Sequence, residues 1–117
     1  MLPSLKQLGS QRYEQCLSRA NGRLEQASCI KKELASQRVQ LSLAYEALEK
    51  QLNDSQRAEL TKSQEAWKAF MDREGALAQS VCDPQGLDFG VDDNEIRWTA
   101  QRRQQLLRHL SIAKLTR

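Results

Sequence analysis

Apolar positions recur every three or four residues along most of the chain, which is the period of an amphipathic helix and not of a strand. Leu5, Leu8, Tyr13, Cys16, Leu17 and Ala20 trace a first stripe between Leu2 and Ala20, interrupted near Gly9, and predict a first helix that frays at its start. Asn21-Gly22 is the sharpest turn signal in the chain. Beyond it, Ile30, Leu34, Leu41, Tyr45, Leu48 and Leu52 fall on one face of a long second helix.

Asn53-Asp54-Ser55-Gln56 has the form of a capping box: Asn53 serves as N-cap, Gln56 reaches back, and Asp54 faces the positive end of the helix dipole. The third helix that follows carries Leu60, Trp67, Phe70, Met71, Leu77 and Val81 as its apolar stripe, with Glu74 inside that stripe. The stretch from Asp83 to Val91, with a proline and two glycines, reads as the one real loop. Asp92 with Glu95 resembles a second capping box and opens a fourth helix to about Ala113, whose inward residues are Ile96, Thr99, Leu106, Leu107 and Leu110. Long helices joined by a short turn lie antiparallel, and the remaining helices then cover the apolar faces left over. The expected fold is therefore all-α, a small antiparallel bundle of three to four helices. It forms a single domain over residues 1–117, with 1–12 as a frayed N-terminal segment and Tyr45, Trp67 and Phe70 in its core.

Composition narrows this picture without changing it. At 117 residues the chain can build one core and not two. Glycine and proline are scarce, while Gln, Leu, Arg, Ala and Glu, which lose least on entering a helix, are abundant. The 18 basic and 15 acidic residues are interspersed, giving a net charge of +3 and a mixed surface in place of a polybasic one. Arg97, Arg102, Arg103, Arg108, Lys114 and Arg117 point around the fourth helix with only Trp98 beside them, which argues against nucleic acid as a partner. No apolar run reaches the roughly 20 residues needed to span a bilayer. No apolar leader follows Met1, so an exported location implies a signal peptide absent from this sequence.

Candidate chemistry is sparse. CxxC, HExxH, GxGxxG and GxSxG patterns do not occur, and neither a catalytic function nor a cofactor or metal is expected. The single histidine, His109, sits near the end of the fourth helix, where a cation suits the dipole. Glu74, in an apolar stripe, requires a partner; Arg102 or Arg103 can supply a structural ion pair, and Glu33 competes for it. The loop offers a recognition surface instead: Asp83, Asp88, Asp92 and Asp93 surround Leu87, Phe89 and Val91, and acidic groups around apolar anchors suit a basic partner with a cleft. Leu87 and Phe89 plugging the end of the bundle is the structural alternative. Cys16 and Cys29 flank the Asn21-Gly22 turn, so a disulfide between them is geometrically admissible, as is a pair of reduced buried thiols.

Several of these residues together resemble a known family. Tyr13-x-x-Cys16-Leu17-x-x-Ala20, Cys29 with Glu33, Leu41-x-x-x-Tyr45-x-x-Leu48-x-x-x-Leu52, Arg57-x-x-Leu60, and Gln64-Glu65-Ala66-Trp67-x-x-Phe70-x-Asp72 are similar to the LprI-like lysozyme inhibitor N-terminal family, from about Tyr13 to Leu110. The resemblance implies a periplasmic or secreted helical domain, a Cys16–Cys29 bridge, and a protein partner of the lysozyme-type peptidoglycan hydrolase class. Two departures stand out. Met71-Asp72-Arg73-Glu74-Gly75 replaces the family's RDxxC, and Asn94 stands where a second cysteine precedes the last helix. Cys82 then lacks an intrachain partner and is either free or linked to another chain. Two further readings remain open, an immunity protein that neutralises a cognate interbacterial toxin and a cytosolic helical adaptor.

Overall fold

The computed structural model describes residues 10–82 and 90–116, and of residues 82 and 90–93 it describes the backbone alone. Four helices account for nearly all of this: α1 (Gln11–Arg19), α2 (Arg23–Glu49), α3 (Asp54–Cys82) and α4 (Gly90–Leu115). The expected all-helical fold is what forms.

The turn signals act through identifiable contacts. Ser10 caps α1, its hydroxyl accepting from the Tyr13 N–H at 3.1 Å. Gly22 precedes α2 with φ of 87°, a left-handed backbone that strains any residue with a Cβ and leaves glycine unstrained. The capping box before α3 is complete in both directions: the Gln56 N–H donates to Asn53 Oδ1 at 2.8 Å, and the Asn53 N–H donates to Gln56 Oε1 at 3.0 Å. The second expected box does not form. α4 is already helical at Gly90, so Asp92 lies inside the helix and not at its N-cap, and the Glu95 carboxylate pairs with Arg38 of α2.

Two apolar clusters fasten the helices. Tyr13 of α1, Cys29, Ile30 and Leu34 of α2 and Ile96 of α4 make one; Leu41, Ala44 and Leu48 of α2, Leu60 of α3 and Leu106 of α4 make the other. Ile96 and Leu106 are both 0 % exposed, which makes α4 the central strut. The order of contacts gives the helix directions. Ile96 meets the early part of α2 and Leu106 the later part, so α2 and α4 run the same way. Phe70 meets Trp98 while Ser63 meets Arg102, so α3 runs opposite to α4.

The close backbone approaches are α2 with α4, α3 with α4, and α1 with α2. Although α2 and α3 are consecutive, each packs on α4 more closely than on the other, and a groove separates them. On α4, Ala100 is fully buried, whereas Leu107, expected to point inward, is 43 % exposed. A helix wedged between two others turns a narrower face to each, and at that position the small Ala100 permits the closer approach.

Candidate partner-binding surfaces

The groove between α2 and α3 encloses about 560 Å³. Tyr45 and Leu41 contribute from α2, Trp67 and Met71 from α3, and Thr99 from α4. Tyr45 and Trp67, expected in the core, are half-buried and pack against the second apolar cluster from its edge. Phe70, the third expected core residue, is 47 % exposed and sets its ring edge-on to Trp98 with centroids 5.6 Å apart. Along α3 the apolar stripe is buried at Leu60 and emerges into solvent at Phe70, Leu77 and Val81. Thr99 is 1 % exposed, and its hydroxyl has no hydrogen-bond partner among the described residues.

Arg102 locks α3 to α4 below this groove. Its Nη2 donates to Ser63 Oγ at 2.9 Å, its Nε to Gln64 Oε1 at 3.0 Å, and its Nη1 to Gln105 Oε1 at 3.2 Å. The anticipated Glu74–Arg102 ion pair is therefore replaced. Glu74 lies ten residues beyond Gln64, about 15 Å along the helix axis, too far for the same guanidinium. Burial lowers the pKa of Arg102, and the electrostatic influence of Tyr45 acts in the opposite sense. The neutral oxygens of one hydroxyl and two amides satisfy a guanidinium fork without importing a second charge into a semi-buried site.

The second surface lies between α1 and α2. Cys16 and Cys29 are joined by a disulfide with Cα atoms 5.8 Å apart. Beside it Glu33 is only 4 % exposed, and its carboxylate accepts from the Ser10 hydroxyl at 2.6 Å, the Ser10 N–H at 3.3 Å and the Gln37 amide at 2.9 Å. A buried carboxylate without donors is costly; with these it clamps the start of α1 onto α2. The sequence marked Glu33 as a rival partner for arginine and, with Cys29, as part of the family resemblance, but not as the clamp on Ser10. The available signal was its place in the buried stripe, since Ile30, Glu33, Leu34, Gln37 and Leu41 share helical spacing. Two shallow recesses of about 600 and 380 Å³ border the disulfide, and Arg12 and Lys32 line both of them.

Residues 14–106, most of the chain, match the lysozyme inhibitor LprI family. The chain belongs to that family. No curated protein and no solved structure matches it. The resemblance drawn from the Tyr13 to Phe70 motifs thus rests on a match that takes in α2, α3 and the part of α4 that reaches Leu106. Of the acidic segment in this LprI-family chain, Asp83, Leu87, Asp88 and Phe89 lie outside the described residues, as do the side chains of Asp92 and Asp93 and that of Cys82. Among the described residues, no group of three His, Cys, Asp or Glu side chains can hold a metal ion, and no helix is long and apolar enough to cross a membrane.

Proposed function

We propose that this LprI-family chain is an exported, non-catalytic inhibitor that binds a lysozyme-type peptidoglycan hydrolase. The observation that carries this reading is the family match over residues 14–106. The Cys16–Cys29 disulfide supports it, because such bonds persist in oxidising compartments, the periplasm and cell exterior among them. Glycan hydrolases work with two carboxylates facing each other across a cleft, so a protein that occupies or covers that cleft stops the reaction without doing any chemistry. The acidic segment with Asp83, Leu87, Asp88, Phe89, Asp92 and Asp93 is a proposed contact for the basic exterior of such an enzyme.

The test is a cell-wall clearing assay with a c-type lysozyme and the oxidised protein. Stoichiometric inhibition is expected, together with no clearing by the protein alone. A failure to inhibit or bind lysozyme-type hydrolases would refute the function. If inhibition occurs, Phe89→Ala should raise the half-inhibitory concentration about tenfold with the helical signal unchanged. Undiminished inhibition by that variant would remove this segment from the interface.

A further inference from the structure

We propose that the α1–α2 face around the disulfide is a docking surface for the acidic cleft of the hydrolase, an inference that rests on the inhibitor reading above. α1 has nine residues, too few to be a stable helix by itself. Nevertheless it is fastened three times: by the Cys16–Cys29 bond, by Tyr13 in the first apolar cluster, and by the Glu33 clamp on Ser10. These fastenings hold the outer face of α1 rigidly against α2.

That face is cationic. Arg12 and Arg19 are seven residues apart on α1, hence on nearly the same side, and Lys32 stands across from them on α2, three residues after Cys29. All three are exposed, and none forms an ion pair among the described residues. The two acidic residues lining the recesses are already engaged: Glu33 holds Ser10 and Gln37, and Glu25 accepts from the Asn21 N–H. Seven helical steps separate Arg12 from Arg19 by about 10 Å along the axis, about twice the roughly 5–5.5 Å between the two carboxyl groups of a retaining hydrolase such as lysozyme, so the two arginines bracket such a pair and do not match it one to one. Guanidinium groups suit such partners because their paired N–H donors match both oxygens of a carboxylate. A preorganised group of cations with no ion pair among the described residues therefore complements an acidic cleft in charge.

The experiment compares wild-type protein, R12E/R19E/K32E, the neutral R12Q/R19Q/K32Q, and the remote control R73E/R108E/K114E, each confirmed as helical and disulfide-bonded. Inhibition of a c-type lysozyme and binding to it are measured. The neutral variant should weaken both about tenfold, as expected for the loss of three modest charge pairs. The reversed variant should weaken both further, and the control should stay within about twofold of wild type. Binding is then repeated with a lysozyme whose cleft carboxylates are changed to amides. Its effect and that of R12Q/R19Q/K32Q should be strongly non-additive, as they are for directly interacting groups. If wild type inhibits while the neutral and reversed variants do so equally well, or the remote control loses as much, or the two effects simply add, the docking surface is wrong and the inhibitor reading stands. If wild type neither binds nor inhibits, both fall.

Discussion

Removing the disulfide should loosen one helix and leave the rest of the molecule closed. The Cys16–Cys29 bond joins positions 13 apart and touches only α1 and the start of α2. On the chain-entropy argument, opening a loop of this length forfeits about 3 kcal/mol. In C16A/C29A, α1 retains two fastenings, the burial of Tyr13 and the hydrogen bonds from Ser10 to Glu33. Each contributes about 2 kcal/mol against the ordering entropy of a short helix. Native-state hydrogen exchange reads this directly: amide protection within Gln11–Arg19 should fall on the order of a hundredfold, the equivalent of about 3 kcal/mol. Amides around Leu41 to Leu48 and near Leu106, in the other apolar cluster, should change by less than about threefold. A fall of less than about fivefold in α1 would show that Tyr13 and Glu33 hold it unaided. An equal loss in all four helices would show that the bond stabilises the molecule as one unit, and would refute the division drawn from the two clusters.

Three further substitutions probe the rest of the frame. Leu106→Ala, at a fully buried site on the central helix, should cost about 3–5 kcal/mol in urea unfolding, and a loss under about 1 kcal/mol would contradict its place between α2 and α3. Arg102→Ala should cost about 2 kcal/mol by orphaning Ser63 and Gln64, and Arg102→Lys should recover less than half, since an ammonium lacks the fork that reaches three acceptors; full recovery by lysine would reduce the site to simple charge. Asn53→Ala should cost about 1 kcal/mol and Asn53→Asp almost nothing, measured by thermal unfolding; equal losses would mean that the cap at α3 is not made by the side-chain oxygen.

How far the candidate surfaces were legible depended on the range of the interactions. The capping box at Asn53 and the turn at Asn21-Gly22 were readable because both are settled within four residues of backbone. The box at Asp92 was misread because the same pattern of residues also suits a helix interior, and Glu95 found Arg38, which is 57 positions away. Glu33 and Arg102 show the same limit. Arg102 was expected to pair with Glu74 and Glu33 to compete for that arginine, yet Ser10, Ser63 and Gln64 are neutral side chains that no charge-pairing rule singles out.

The sequence by itself determined that the chain is helical, where two of its turns fall, which faces are apolar, and that Cys16 and Cys29 can meet across the Asn21-Gly22 reversal. Helical period, capping chemistry and glycine conformation are short-range and survive without tertiary context. Only the tertiary structure decided that α4 is the central strut, that α2 and α3 part to leave a groove, and that Phe70 faces solvent while Ile96 does not. An apolar stripe states which side of a helix seeks cover but not which helix supplies it or for how many turns. That choice follows from packing all four helices at once, and it also placed Arg12, Arg19 and Lys32 on a single face.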